Sequence, residues 1–368
     1  MSEGDAPEGS RIKVDSTKDL WQNIVQNVKE STTNETQDLT VLVVGAKGSG
    51  KSTVINRVLG SSTKTKPTTA LEYSFGKRDD RNTTQIAHFW ELAQGSELSQ
   101  LSDVVVTPEN IHTVVAVIVV DCHDVSTMFE SSTYWLKRID RRAQEIFQKM
   151  KAKGSQTPDK MLARAQRSVG EDHPDLSRMR LSGIPTVVVC NRLDIFKGDS
   201  TRLKLMAKTM RHIAHLFGAH LVFSSEQSAD VTKLRTVLNH LVFQVPFDPR
   251  VIGVDPERGS VVATPDKDSF RDIGDPYASN MADFTSTGDS ELDRWKAAMD
   301  EMFPPSKKSE TKMVEDPFLK KLYDTAVDGF GEPTIDSMRK QKDEELEQYR
   351  RNLSKKSEKK SDKDDREG

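Results

Sequence analysis

The chain has 368 residues, 30% of them charged, and its 54 Lys and Arg against 57 Asp and Glu leave a net charge of -3. That balance excludes a chain built as a whole around nucleic acid or another acidic polymer, and the length suits one main domain of about 100–200 residues with appendages. Two cysteines, Cys122 and Cys190, each close an apolar run, which excludes a disulfide scaffold and fits a reduced compartment.

Residues 1–38 read as a polar segment followed by an amphipathic helix. The opening "MSEGDAPEGSRIKV" lacks the apolar stretch of a signal peptide. In "STKDLWQNIVQNV", Leu20, Trp21, Ile24, Val25 and Val28 share a helical stripe, with Ser16 and Asp19 spaced as a capping box. The stripe docks either on the main domain or on a partner. No membrane insertion is expected, because the longest apolar run, Val114 to Val120, falls far short of the ~20 residues that span a bilayer.

Residues 39–246 alternate short β-branched runs with helical patterns. Strands are predicted at Val41–Val44, Leu71–Phe75, Ile86–Leu92, Val114–Val120, Thr186–Cys190 and Leu221–Phe223. Helices are predicted at Lys51–Leu59, Thr133–Lys151, Arg202–Phe217 and Thr232–Phe243. "VVAVIVVDC" and "PTVVVCN" are apolar throughout, as strands covered on both faces should be, so the class is α/β with a mostly parallel six-stranded sheet flanked by helices. Residues 150–182 are charged and broken by Gly and Pro, and read as an insertion on the rim of the sheet. Residues 247–353 form a largely irregular C-terminal extension with helical patches at "SELDRWKAAMDEMF" and "TIDSMRKQKDEELEQYRRNL"; residues 354–368 mix both charges without an apolar residue and are expected to be disordered.

Chemistry concentrates in "VLVVGAKGSGKST". Gly45, Gly50, Lys51 and Ser52 fit G-x-x-x-x-G-K-[ST] between a strand and a helix, the context a phosphate loop requires. Backbone amides then close round a β-phosphate, the helix N-terminus adds partial positive charge, Lys51 neutralises phosphate oxygens and Ser52 ligates magnesium. In "KPTTALEY", Thr68 or Thr69 is placed to give a second hydroxyl to the metal. In "VVVCNRLDIF", Asn191, Arg192 and Asp194 reproduce N-[KR]-x-D. There Asp194 accepts guanine N–H bonds, Asn191 ties its loop to the phosphate loop, and the Arg192 stem covers the base. Ser225 stands at the last base-contacting loop, where Glu226 replaces the usual lysine. The predicted nucleotide contacts are therefore Gly45, Gly48, Gly50, Lys51, Ser52, Thr53, Asn191, Asp194 and Ser225, with Ser52 and Thr68 as magnesium ligands and GDP or GTP as the cofactor.

"FWELAQG" breaks the pattern that should follow. A switching GTPase carries D-x-x-G-Q, in which the Asp holds magnesium through water, the Gly senses the γ-phosphate and the Gln orients the attacking water. Here Glu91 replaces the Asp, and Gln94 and Gly95 come in swapped order. These changes affect turnover and γ-phosphate sensing rather than the grip on phosphates, so no catalytic residue is assigned. His212, His215 and His220 suggest a metal only weakly, since no carboxylate or Cys sits among them.

With those residues in view, the chain resembles the light intermediate chains of cytoplasmic dynein 2. The resemblance is carried by "KPTTALEYSFGKR", "IAHFWELAQG", "EDHPD", "RHIAHLFGAHLVFSS", "DSFRDIG", "WKAAMDEMFPP" and "EPTIDSMRKQKDEELEQYRR". It implies a Ras-like P-loop domain used as a structural subunit that binds and stabilises the dynein 2 heavy chain and meets the other dynein 2 subunits. Association with microtubules would be indirect, in retrograde intraflagellar transport and cilium assembly. The implied locations are cytoplasm, cytoskeleton and cilium, at the axoneme and basal body. Dynein 1 relatives carry a longer C-terminal region, so the short tail favours the dynein 2 form. Two rivals stay open: a guanine-nucleotide switch cycling through Ser52, Thr68 and Asp194, and a P-loop kinase or ATPase with Asp121 as its acid.

Overall fold

The computed structural model describes residues 35–61, 66–79, 83–93, 95–196, 198–276, 291–304, 341–342 and 344–345. The N-terminal stripe, Gln94 and all but four residues of the last helical patch lie outside them. Within the described residues, the apolar runs that need cover on both faces form the middle of a sheet. Strands β1 (Glu35–Gly45), β3 (Thr83–Leu92), β4 (Val114–Asp121), β5 (Thr186–Asn191) and β6 (His220–Phe223) are parallel to their neighbours. Strand β2 (Leu71–Asp79) pairs antiparallel with β3 at one edge and β7 (Val262–Ala263) antiparallel with β6 at the other, in the order β2-β3-β1-β4-β5-β6-β7.

The side-chain period of two divides the core into layers. Val41, Val43, Val117, Val119, Val187 and Val189 meet α1 (Lys51–Leu59) and α6 (Ser228–Phe243) on one face. Leu42, Val44, Ala116, Ile118, Val188 and Cys190 join residues of α3 (Val125–Ala152) and α5 (Ser200–Leu216) in the other core. Between β3 and β4 lies the single turn α2 (Ser102–Val105), tied to α3 by Arg138 and Arg142, which both reach Asp103.

All six predicted strands are present, and the sheet gains a seventh. Strand β7 has two residues, too short to show any periodicity, yet it buries Val262 and shields the β6 edge. Helix α3 starts at Val125, eight positions before the predicted Thr133. Its Ser and Thr run reads as loop by propensity, but the Ser132 and Thr133 hydroxyls donate to the Phe129 carbonyl at 3.0 and 2.8 Å while Met128 and Phe129 are buried. The charged stretch after α3 forms α4 (Thr157–Val169), which buries Met161 and Val169.

The compact unit does not stop at residue 246; it runs to Pro304. After β7 come α7 (Phe270–Ile273) and α8 (Glu291–Met302), and α8 buries Leu292, Trp295, Ala298 and Met299 in the same core as α5. In the separate unit from Pro305 onward, the four described residues are helical, with Lys342 donating to Glu345 at 2.6 Å.

Candidate nucleotide site

Strands β1, β3 and β5 end together at one side of the sheet, and the loop from β1 to α1 turns across them. Its turn requires glycine at two points. Gly45 has φ +145, and a Cβ there would stand 2.0 Å from the Val119 carbonyl oxygen; Gly50 has φ +90, and a Cβ there would stand 2.2 Å from Asn191 Nδ2. The result is a cleft of about 460 Å³ lined by Gly48, Gly50, Lys51, Ser52 and Thr53 from the loop and α1, and by Thr68, Glu91, Asn191 and Arg192 from the facing loops and strands.

Lys51 is 4% exposed, and its ammonium donates to the carbonyls of Gly45 at 3.1 Å and Ala46 at 2.8 Å. Burial pushes its pKa down to about 8, with the Glu91 charge working in the opposite direction. Glu91 is itself buried, and that burial raises its pKa against the Ser52 hydrogen bond and the Lys51 charge. Its Oε1 accepts from the Ser52 hydroxyl at 2.8 Å and from Thr68 Oγ1 at 3.2 Å. The predicted metal ligands Ser52 and Thr68 thus converge on the residue that departs from the switch pattern. Three hard oxygen donors together fit magnesium chemistry.

Asn191, 1% exposed, donates from Nδ2 to the Ser49 carbonyl at 3.1 Å and accepts from Arg57 at 3.3 Å. Arg192, in the left-handed region at φ 62, lines the cleft. Its guanidinium donates to the Gly48 carbonyl at 2.6 Å and to Asp121. The acid on which an ATPase reading leaned is therefore occupied, because Asp121 also accepts the His123 amide at 2.9 Å. Three predicted contacts, Gly45 at the end of β1, Asp194 and Ser225, lie apart from the cleft lining. Asp194 is exposed on the 3-10 turn Leu193–Ile195, and Ser225 turns inward to donate to Asp230 and accept the Gln227 amide, as a start signal for α6. Sequence reading missed Lys47, Arg57 and Lys66, which also line the cleft; isolated cations carry no motif.

The three histidines of the weak metal reading do not converge. His212 stacks on Trp295 with ring centroids 4.7 Å apart, and His220 is half-buried beside His240. His215 instead meets Asp175 at 3.0 Å and groups with His173; among the described residues, theirs are the ligand atoms within 4.8 Å of one another. Those atoms already have partners. Asp175 Oδ2 also accepts the Phe270 amide at 2.8 Å, and His173 Nε2 meets the Asp268 carbonyl at 3.0 Å. Burial raises the Asp175 pKa, but the Phe270 amide and His215 outweigh it and leave the carboxyl below its usual value. Beside them, Arg211 Nε donates to Asp268 at 2.9 Å in a pair that is 8% and 4% exposed. The cluster fastens the segment around α7 to α5.

The comparisons with known proteins agree with one another. A family model described as "Dynein light intermediate chain (DLIC)" matches residues 15–180. The chain is similar to the cytoplasmic dynein 2 light intermediate chain 1 of Bos taurus, 31% identical over 91% of this chain and 96% of that one, and to that of Danio rerio, 33% identical over 86% of each. In fold it is similar to the crystal structure of the dynein light intermediate chain's conserved domain, with a TM-score of 0.53 and 16% identity, over 74% of this chain and 92% of the other. A phosphate-loop cleft on a Ras-like sheet, and likeness to these relatives over most of its length, lead to one conclusion: the chain belongs to the dynein light intermediate chain family.

Proposed function

We propose that this chain is a non-catalytic accessory subunit of cytoplasmic dynein 2. It binds and stabilises the heavy chain alongside the other dynein 2 subunits, for retrograde intraflagellar transport and cilium assembly. The observation that carries this reading is the extent of similarity to relatives named as dynein 2 light intermediate chains, 91% of this chain against 96% of the bovine one. The site supports the non-catalytic part, because the Glu91 carboxylate stands where a switching enzyme keeps a shorter acid and bonds directly to Ser52 and Thr68. In this reading the chain works in the cytoplasm and at the ciliary axoneme and basal body, and reaches microtubules only through the motor.

The test uses ciliated cells that lack the endogenous chain. Wild type and Lys51→Ala, each first confirmed folded by melting, are expected to co-precipitate the heavy chain equally and to return cargo from the ciliary tip. A folded Lys51→Ala chain that fails in both assays overturns the scaffold reading in favour of a guanine-nucleotide switch.

One observation supports nucleotide binding beneath the scaffold role: Asn191 ties the predicted base-reading strand to the phosphate loop beside a cleft rich in cations. The ligand in this reading is GDP or GTP. Heat-denatured purified protein should release guanine nucleotide into the supernatant. Absence of any, together with no rise in Tm on adding GDP and magnesium, removes the nucleotide from the proposal.

A further inference from the structure

In the usual phosphate-loop arrangement a loop hydroxyl touches magnesium, and the acid at the end of the neighbouring strand reaches the ion only through a water. This chain has a glutamate at that acid's position, one methylene longer. Glu91 reaches far enough to contact Ser52 Oγ at 2.8 Å and Thr68 Oγ1 at 3.2 Å without an intermediary.

Those separations are informative. An octahedral magnesium ion with oxygens at 2.0–2.1 Å holds adjacent ligands about 3 Å apart. The two hydrogen-bonded oxygen pairs, at 2.8 and 3.2 Å, lie on either side of that spacing. The Glu91 oxygen is therefore close enough to both hydroxyls to share an ion with them, without a water layer between. Thr68 Oγ1 also lies 2.8 Å from Glu72 Oε2, so its single proton has a second acceptor when Glu91 does not take it.

The cations around the carboxylate suit the phosphates that would accompany a metal. Glu91 is 5% exposed, at the floor of a cleft whose lining includes Lys47, Lys51, Arg57, Lys66 and Arg192. Lys51 spends its hydrogen bonds on the carbonyls of Gly45 and Ala46 and gives none to Glu91. Among the described residues the buried carboxylate thus meets the Ser52 and Thr68 hydroxyls and no ion pair, with Lys51 acting on it through its field alone. A buried charge in that state is costly unless a counter-ion completes it.

Resting on the proposal that the cleft holds a nucleotide, we infer that Glu91 is itself a direct ligand of the accompanying divalent cation, with Ser52 and Thr68, replacing the water through which the acid usually acts. The consequence is a metal held by the protein more than by the γ-phosphate. It favours retention of a nucleoside diphosphate over release, which suits a structural cofactor.

The experiment uses the full chain with fluorescently labelled GDP, titrated with magnesium and again with EDTA. Three forms are compared: wild type, Glu91→Gln and Glu91→Asp. Gln keeps the shape and an acceptor for Ser52 but removes the charge; Asp keeps the charge and retracts it. All three are first compared by melting and circular dichroism. Wild type should lose affinity on metal removal, whereas Glu91→Gln should bind magnesium at least about tenfold more weakly, since even outer partners of a metal contribute that much. With manganese as the probe, electron paramagnetic resonance in 17O-water should count one bound water fewer in wild type than in Glu91→Asp.

Nucleotide binding with equal metal dependence in wild type and Glu91→Gln overturns the inference and leaves the nucleotide proposal standing, as do equal water counts in wild type and Glu91→Asp. Failure of the wild type to bind labelled GDP under any condition overturns both.

Discussion

Two regions of this domain bury charge, and they resolve it differently. On the α5 side, Arg211 pairs with Asp268 and His215 with Asp175 across elements far apart in sequence. At the ends of β1, β3 and β5, Lys51 and Glu91 are as deeply buried, but they border a cleft of about 460 Å³ and take their hydrogen bonds from hydroxyls and loop carbonyls. Closed pairing marks a fastening. Buried charge beside open volume marks a site.

The largest expected effect breaks the fastening. Asp268→Ala leaves Arg211 buried without its carboxylate, and losing one partner of such a pair costs about 3–5 kcal/mol. Urea unfolding should show it directly, and Arg211→Met in the same chain should recover most of the loss. An Asp268→Ala chain as stable as wild type would mean that the α5 side is a surface rather than a fastening.

A smaller loss is expected at the loop. Gly50→Ala drives a Cβ into Asn191 at a backbone angle L-residues avoid, which costs about 1–3 kcal/mol. At Gly48, φ is +78 but nothing lies within 4 Å, so Gly48→Ala should cost less. Equal melting temperatures for the two variants would remove the contact between Gly50 and Asn191 from the account.

Acid distinguishes the regions next. Burial pushes His212 and His220 each down to about 4 from 6.5. A lowered histidine contributes stability that is full above the unfolded value and is lost as pH falls from about 6.5 towards 4. By about pH 5.5 each should have given up about 1 kcal/mol, and His212→Phe, which keeps a ring against Trp295, should flatten that part of the curve. The cleft responds at the other end of the scale. Lys51 titrates at about 8, so affinity for nucleotide should fall roughly threefold between about pH 7.5 and 8.5. A flat profile there would mean that its ammonium does not meet phosphate.

The fold was legible where pattern repeats. The unbroken apolar runs at Val114–Val120 and Thr186–Cys190 became β4 and β5 because both faces are covered. Strand β7 and the segment through α8 were not legible as part of the domain: a two-residue strand has no period, and Asp268 finds Arg211 across 57 positions. In the site, glycine spacing identified the loop, since backbone shape is written in residue type. The roles of Glu91 and Arg192 were not readable. Side-chain length decides what each touches, and a motif records identity without reach. Sequence spacing groups His215 with His212 and His220, although its partner Asp175 comes from the segment between α4 and β5.

The pairing of Arg211 with Asp268 has a consequence for biosynthesis. Helix α5 leaves the ribosome well before the segment that neutralises it, and strand β6 emerges with its outer edge bare until β7 arrives. Until then the nascent domain carries an unmatched guanidinium and an open strand edge, the features that invite premature pairing with another chain. A ribosome stalled before residue 268 would present a sheet ready to aggregate, whereas one stalled after Pro304 has released everything the domain needs to close.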